Sequence, residues 1–283
     1  MCRLAAYMGP EITISSLVTE PKHSLIHQSY HARERVEPLN GDGFGIGWYA
    51  PDLSERPALF KEVSPAWSNQ NLRCVSRVTR SGCIFAHVRA ATIGGELSRV
   101  NCHPFTYKKY MFMHNGTVFG FEKIKRSLRI GLSDLAYENI RGGTDTEHIF
   151  ALFLDSIVEC QAPGREDVIR SLQYAIARVE KLKQQHGIVT PSTMNLVLSD
   201  GARLLATRYV SEGDESNSLY YSQLSNYGCE SGSCNLNEGE GALLVVSEPL
   251  EKSSAWTKVE NNHMVLYDKI SGLEMRPIVL PEV

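Results

Sequence analysis

Residues 144–157 read Thr-Asp-Thr-Glu-His-Ile-Phe-Ala-Leu-Phe-Leu-Asp-Ser-Ile, which is one of the two clearest helix signals in the chain. Thr144 and Glu147 have the spacing of a capping box, in which side chains satisfy the free N–H groups at a helix start. Apolar residues then follow at helical intervals, at positions 149, 150, 153 and 157. The pattern predicts a helix that begins at Thr144.

A second apolar stripe at helical spacing predicts a helix over about 166–183, and weaker helical signals fall at 24–32 and 69–78. Short β-type runs lie on both sides of these helices, at 3–8, 43–49, 83–88, 110–113, 194–198, 203–210, 219–222, 242–246 and 264–267. Two groups of strands with helices between and after them predict an α+β protein with antiparallel sheets covered by helices.

The composition is that of a globular protein, and it excludes some classes of partner. The chain has 283 residues, 42% hydrophobic and 22% charged, with a formal net charge of -3. Lys and Arg are scattered, so no basic stripe predicts nucleic acid binding. No run approaches the roughly 20 apolar residues that span a membrane, and no secretory signal is visible. We therefore expect a cytoplasmic protein with one domain over residues 2–283.

The seven cysteines show no regular spacing and are expected to be reduced thiols. Two of them, Cys229 and Cys234, fall in residues 211–241, a stretch rich in Gly, Ser, Asn and Glu. We interpret much of that stretch as a long mobile surface loop, interrupted only at 218–224. Two further ligands at compatible spacing are lacking, so no metal site is predicted there.

Cys2 directly follows the initiator methionine. Once Met1 is removed, this residue carries both a thiol and a free α-amine. The reference pKa of an α-amine is about 7.7–8.0, so the amine can accept the thiol proton near neutral pH. One residue would then supply both nucleophile and base, although a small residue at position 2 is also common without any catalytic role.

Two polar motifs follow predicted strands or open them. The glycine-rich stretch at 40–48 contains Asn40, Asp42 and Gly43, and it opens a strand rather than a phosphate-binding helix. At the end of another strand, Arg89 follows His87, and its guanidinium could bind a carboxylate through two parallel hydrogen bonds. A structural ion pair is the alternative for an isolated arginine.

His114-Asn115-Gly116 ends a third strand. The Asn amide and the Gly N–H could form an oxyanion hole, or simply an Asn-Gly turn. Asp145 could bind an ammonium group or favour the helix dipole. Together the motifs describe a substrate with a carboxylate, an ammonium group and a polarised carbonyl, which is a γ-glutamyl group.

The ordered set of Cys2, Arg-x-Ala-Thr at 89–92, Asn115-Gly116 and Asp-Thr-Glu at 145–147 resembles the class II glutamine amidotransferase family over nearly the whole chain. Further motifs resemble its stand-alone γ-glutamyl hydrolases, which include the fungal glutathione-degradation subunit and the ergothioneine-pathway hydrolases. These motifs include 1–3, 28–29, 40–45, 65–67, 69–72, 85–90, 101–106, 113–116 and 247–250. The resemblance implies the four-layer αββα sandwich of N-terminal-nucleophile hydrolases.

The resemblance also implies a role for each matched residue. Cys2 is the nucleophile, with Asn115 and Gly116 as the oxyanion hole. Substrate binding falls to Arg89, Thr92, His114 and Asp145, and structural support of the site to Asn40, Asp42, Gly43, His87 and Thr144. No cofactor or metal is required, and His87, His103 and His114 beside the motifs are interpreted as structural hydrogen-bonding groups or as pocket lining.

The sequence leaves three functions open. Hydrolysis of a γ-glutamyl amide leads, because no synthase domain follows and because Ala90 and Ile93 replace the Trp and His of synthase-type members. The second is a glutaminase subunit that passes ammonia to a synthase partner. The third is a non-catalytic scaffold that binds a γ-glutamyl ligand or a metallopeptidase partner.

Overall fold

Two antiparallel sheets make up the centre of the protein. The computed structural model describes residues 2–34, 39–91, 97–158, 160–213, 216–230 and 232–283. The strands are β1 (Arg3–Thr13), β2 (Phe44–Ala50), β3 (Ser54–Glu62), β4 (Arg80–Val88), β5 (Phe105–Tyr107), β6 (Tyr110–Thr117), β7 (Thr193–Ser199), β8 (Arg203–Val210), β9 (Tyr220–Glu230), β10 (Ser233–Val246), β11 (Thr257–Lys258), β12 (His263–Asp268) and β13 (Gly272–Pro277). One sheet has the order β11-β9-β10-β1-β4-β2-β3 and the other β13-β12-β8-β7-β6-β5.

Helices cover the outer face of each sheet. They are α1 (Ser15–Val18), α2 (Leu25–Tyr30), α3 (Gln70–Val78), α4 (Phe121–Ile130), α5 (Asp134–Glu138), α6 (Asp145–Ile157) and α7 (Arg165–Gln185), with 3-10 turns at Ala66–Ser68 and Arg99–Asn101. Core side chains of α1–α3 pack on the seven-stranded sheet, and those of α4, α6 and α7 on the six-stranded sheet. A third core lies between the sheets. The predicted αββα sandwich is therefore confirmed.

Strand β1 shows how alternation builds these layers. It lies between β10 and β4 near the middle of its sheet. Leu4, Ala6 and Met8 point into the core between the sheets, whereas Ala5 and Tyr7 face the helices. Because both faces are buried, the strand has the continuous apolar sequence that follows Arg3.

The predicted helix start at Thr144 is confirmed, but the Glu147 side chain does not have the hydrogen-bond partner that a capping box predicts. Thr144 is the N-cap of α6, and its hydroxyl accepts a hydrogen bond from the Glu147 N–H at 3.3 Å. The Glu147 carboxylate does not return to the N-cap. It accepts the N–H groups of Arg141 and Gly142 at 2.8 and 2.7 Å, and so holds the preceding loop against the helix.

The interpretation of 211–241 as a mobile loop is wrong for most of its length. Strands β9 and β10 form a long hairpin there. In the outer half of β10 only Cys234 and Leu236 are apolar, and both are only partly buried, whereas 238–241 contain no apolar residue apart from glycine, so the apolar alternation is too short to mark a strand in the sequence. Backbone hydrogen bonds to β9, which do not depend on side-chain polarity, hold it in place.

The expectation that all cysteines are reduced is also wrong. The hairpin register places Cys229 opposite Cys234, with Cα atoms 4.0 Å apart, and the two form a disulfide. The two cysteines are close only because the hairpin pairs their strands, so their separation of five residues in the sequence did not predict the disulfide. The other cysteines are free thiols, of which Cys83 and Cys102 are buried, Cys2 and Cys160 are half-buried and Cys74 is exposed.

No helix within the described residues is long and apolar enough to cross a membrane.

Candidate active site

The Cys2 thiol lies at the start of the central strand. Arg3 pairs with Val88, so Cys2 comes opposite Arg89 at the end of β4. The Cys2 Sγ lies 3.6 Å from the Ala90 carbonyl oxygen. Burial raises the pKa of this thiol, Asp145 adds to the rise, and the nearby Arg89 guanidinium opposes it. A thiol with a raised pKa needs a base to act as a nucleophile near neutral pH.

The turn at Asp42 and Gly43 holds the main chain around Arg89. The Arg89 N–H donates to the Gly43 carbonyl at 2.8 Å, and the Asp42 N–H donates to the Arg89 carbonyl at 3.0 Å. The Asp42 carboxylate accepts the Ala91 N–H at 2.7 Å. Gly43 has a φ of +115°, and a Cβ there would lie 2.7 Å from the Cys102 sulfur. These contacts fix the chain on which the Arg89 side chain is carried.

Asn40 ties the same loop to helix α2. Its side chain is fully buried, and its Nδ2 donates to the Gln28 carbonyl at 3.4 Å. Its main-chain N–H donates to the Ser29 carbonyl at 2.6 Å. Thr92, the last residue of the Arg-x-Ala-Thr motif, lies outside the described residues.

Histidines connect the two sheets beside the site. His87 on β4 donates from Nε2 to the His114 carbonyl on β6 at 3.2 Å. The rings of His87 and His103 have centroids 4.1 Å apart. Burial lowers the pKa of His87 to about 3 and that of His103 well below its usual value, so both are neutral. Among the described residues, no group of three or more potential ligands could hold a metal ion.

His114 uses both ring nitrogens inside the protein. Its Nε2 donates to the Thr193 carbonyl at 3.2 Å, and its Nδ1 lies 3.1 Å from the Thr146 hydroxyl and 3.9 Å from the Asp145 carboxylate. Burial lowers the pKa of His114, although Asp145 opposes this. The imidazole therefore braces β6 against α6, and contact between His114 and a substrate stays a prediction.

Asp145 is the first residue of α6, and its carboxylate is oriented by the main chain. One oxygen accepts the Val118 N–H at 2.9 Å and the other accepts the Thr146 N–H at 2.7 Å. The Asp145 side chain has 21% of its surface exposed to solvent. A carboxylate has about four acceptor positions. Asp145 thus retains room for a cationic group.

Asn115 and Gly116 end β6 in the other sheet. The Asn115 side chain is fully buried, and its Nδ2 donates to the Ser247 hydroxyl at 3.1 Å. Its main-chain carbonyl accepts the Asn217 amide at 3.1 Å. A Cβ at position 116 would overlap the Thr193 carbonyl oxygen and the His114 ring, so only glycine fits beside Asn115.

Four of the predicted residues thus come together, Cys2 just before β1, Arg89 just after β4, Asn115 near the end of β6 and Asp145 in the first turn of α6. Cys2 and Arg89 share one sheet, Asn115 belongs to the other, and the Asp145 and Arg89 charges both act on the Cys2 thiol. The His87 contact joins the two sheets at this point.

Sequence reasoning gave no role to three residues behind the site. Arg3, Ser247 and Glu248 are buried and are linked by hydrogen bonds to Cys2 or to Asn115, Glu248 through Arg3. One signal was present, since an arginine that begins an apolar strand needs a buried acidic partner. The sequence alone could not show which acidic residue that is.

Cys2 directly precedes β1, the middle strand of one of two facing sheets, and helices cover the outside of both sheets. This arrangement defines an amidohydrolase of the N-terminal-nucleophile type. The family model for glutamine amidotransferases class-II matches residues 13–223. The chain belongs to this family.

Relatives of known sequence or structure match the whole chain. The probable glutamine amidotransferase DUG3 of Saccharomyces cerevisiae is 38% identical, over 99% of this chain and 85% of the yeast chain. The γ-glutamyl-hercynylcysteine sulfoxide hydrolase of Mycobacterium tuberculosis is 27% identical, over 94% of this chain and 92% of its own. A glutamine aminotransferase class-II domain protein from Silicibacter pomeroyi superposes with a TM-score of 0.72 at 29% identity, covering 99% of this chain and 100% of its own.

Proposed function

We propose that this protein hydrolyses the γ-glutamyl amide bond of a small molecule through a thioester on Cys2. The observation that carries the proposal is the meeting of Cys2, Arg89, Asn115 and Asp145 at the adjoining strand ends. Family membership supports it, as does the mycobacterial relative that is named for hydrolysis of a γ-glutamyl compound. Residues 2–283 would act as one domain, without a cofactor.

The proposed reaction has two halves that share one oxyanion site. After Met1 is removed, the α-amine of Cys2 accepts the thiol proton, and the sulfur attacks the γ-carbonyl carbon. The Asn115 amide and the Gly116 N–H stabilise the oxyanion, and the leaving amine takes up the proton as the C–N bond breaks. Water then attacks the thioester, which releases glutamate and restores the thiol.

The substrate is held by opposite charges at its α-carbon. Arg89 binds the α-carboxylate, and Asp145 binds the α-ammonium group. Asn40, Asp42 and Gly43 support the arginine loop through the hydrogen bonds described above. In the same way, His87, His114 and Thr144 brace the Asn115 strand and the start of α6.

The test is release of amine and glutamate by the chain alone. Glutamine and a panel of γ-glutamyl amines and peptides are incubated with the purified protein. We expect hydrolysis of at least one γ-glutamyl amide without a partner chain. Activity only with an added synthase or metallopeptidase would favour a subunit role, and binding without turnover would favour a scaffold.

Replacing Arg89 with lysine is expected to raise KM for the γ-glutamyl substrate by about 10-fold or more, with a smaller effect on kcat. A lysine cannot make two parallel hydrogen bonds to a carboxylate, and loss of such a bond costs about 1.5–3 kcal/mol. Steady-state kinetics measures the change. The exposed Arg126→Lys variant on α4 is the matched control. Unchanged KM in Arg89→Lys would remove Arg89 from carboxylate binding.

A further inference from the structure

Ser247 joins the nucleophile strand to the oxyanion strand. It follows β10, where its N–H donates to the Leu4 carbonyl and its hydroxyl accepts the Leu4 N–H, both at 3.0 Å. The same hydroxyl accepts the Asn115 Nδ2 at 3.1 Å. Leu4 belongs to one sheet and Asn115 to the other, so a single oxygen atom bridges the two. Leu4 is only two residues from Cys2.

Glu248, the next residue, makes a second set of contacts. Its carboxylate accepts Arg3 Nε at 2.5 Å and His23 Nε2 at 2.8 Å. It also accepts the N–H groups of Arg33 and Glu34, at 2.9 and 3.1 Å. Both Arg3 and Glu248 have 1% of their surface exposed. All four donors are within hydrogen-bonding distance, so this buried carboxylate is fully satisfied.

Arg3 connects Glu248 to the main chain of Cys2. While its Nε is held by Glu248, its Nη1 donates to the Cys2 carbonyl oxygen at 2.8 Å. Burial by itself would raise the pKa of Glu248, but the His23 hydrogen bond and the Arg3 charge outweigh it and lower the pKa to about 2. The ion pair is therefore charged near neutral pH, and the Cys2 carbonyl is fixed from one side.

We propose that Ser247 and Glu248 are positioning residues that set the nucleophile and the oxyanion donor relative to each other. Ser247 engages one N–H of the Asn115 amide, which orients the second towards the substrate oxyanion. Glu248 acts through Arg3 on the main chain of Cys2. The inference rests on the proposed roles of Cys2 and Asn115.

The free energy needed to bury the Arg3–Glu248 ion pair indicates that these groups do more than hold strands together. Burying an ion pair is expensive, and apolar residues of similar volume often stabilise a fold as well or better. A guanidinium aimed at the nucleophile's own carbonyl offers what an apolar residue cannot, a directed hydrogen bond. Oxyanion stabilisation depends on donor placement to within a few tenths of an ångström, because hydrogen bonds weaken steeply outside their narrow geometry.

The first test is Ser247→Ala, with Ser222→Ala as the matched control. Ser222 is a buried serine on neighbouring β9 whose hydroxyl has no hydrogen-bond partner among the described residues. We measure kcat, KM, thermal unfolding and the rate at which iodoacetamide alkylates Cys2. Alkylation at a saturated carbon forms no oxyanion, so it reports on the thiol alone.

For Ser247→Ala we expect kcat to fall about 10- to 100-fold, less than the roughly 100- to 1000-fold cost of removing an oxyanion donor because the donor is misaligned and not lost, with KM changed less than about 3-fold. Alkylation of Cys2 should stay within about 2-fold of the unmodified protein, since thiol reactivity follows the thiolate fraction and access. Ser222→Ala should match the unmodified protein in every readout. An unchanged kcat in Ser247→Ala, or an equal fall in kcat and alkylation, would overturn the role of Ser247.

The second test is Glu248→Gln, with Glu251→Gln as its control. Within the part of the chain that the structure describes, the Glu251 carboxylate accepts one hydrogen bond, from the Lys22 N–H at 2.7 Å. For Glu248→Gln we expect both turnover and alkylation to become slower, because Arg3 no longer holds the main chain of Cys2 in place. If this variant does not fold, Arg3→Lys replaces it, since lysine keeps a charge for Glu248 but cannot reach both partners with fixed geometry.

Normal turnover and alkylation in the folded Glu248 or Arg3 variant would overturn the role of Glu248. Different results would contradict the proposed function and the positioning role. Unmodified protein with no γ-glutamyl hydrolase activity would contradict the proposed function. Active unmodified protein with unaffected Ser247→Ala and Glu248→Gln variants would contradict only the positioning role.

Discussion

Replacing Cys2 with alanine is expected to lower kcat/KM for γ-glutamyl amide hydrolysis to less than about a hundredth of its original value, because the covalent step is lost. The Cys2 side chain is small and precedes β1, so removal of its sulfur should leave the sheet intact. Binding of a γ-glutamyl ligand, measured by calorimetry, should persist through Arg89 and Asp145.

A matched variant removes a thiol from elsewhere in the same protein. Cys74→Ala changes an exposed cysteine on α3, and we expect it to have normal kinetics. Residual activity of Cys2→Ala above about a hundredth, after contamination is excluded by active-site titration, would mean that another group performs the attack.

Blocking removal of Met1 is expected to abolish turnover just as completely. While Met1 remains, the Cys2 nitrogen is an amide, which cannot accept a proton near neutral pH, and burial has raised the pKa of the thiol. A chain with a non-removable N-terminal extension should therefore bind ligand but not hydrolyse it. Intact-mass analysis of active protein should show loss of one methionine.

The control for this experiment is the same extension followed by a protease site. Cleavage that leaves Cys2 as the first residue should restore activity. Full activity of a chain that retains Met1, verified by mass, would contradict the role of the α-amine as base.

Local sequence signals were enough for the elements that carry the site. Thr144 caps α6, the stripe at 166–183 lies within α7, and the apolar runs before Arg89 and Asn115 are strands β4 and β6. Each signal is contained in a few neighbouring residues, either as a cap or as an apolar period. The end of a strand could therefore be predicted, and with it the position of the polar residue that follows.

Elements held by distant contacts could not be predicted in this way. Edge strand β3 is largely exposed and lacks apolar alternation, and the hairpin of β9 and β10 depends on backbone pairing. Helix α4 is a different case, because its three buried residues, Phe121, Ile124 and Leu128, recur at helical spacing, so the sequence contained a local signal for this helix that the prediction missed. The Cys229–Cys234 disulfide depends on that hairpin.

The same distinction applies to the site. The predicted catalytic and binding residues follow from residue type at strand ends. Their supports do not, because Ser247 and Glu248 are separated from Leu4 and Arg3 by about the length of the chain and meet them only through pairing of β10 with β1. A satisfied buried carboxylate and an exposed one look alike in a single sequence.

The most direct test of the central claim uses an electrophilic γ-glutamyl analogue, such as a glutamine derivative with a diazoketone at the γ-position. The protein is inactivated with it, digested, and the labelled peptide identified by mass spectrometry. We expect one label per chain, on the sulfur of a peptide that begins at Cys2 without Met1, and protection by a γ-glutamyl substrate. A label on any other residue, or on a peptide that still begins with Met1, would contradict the account.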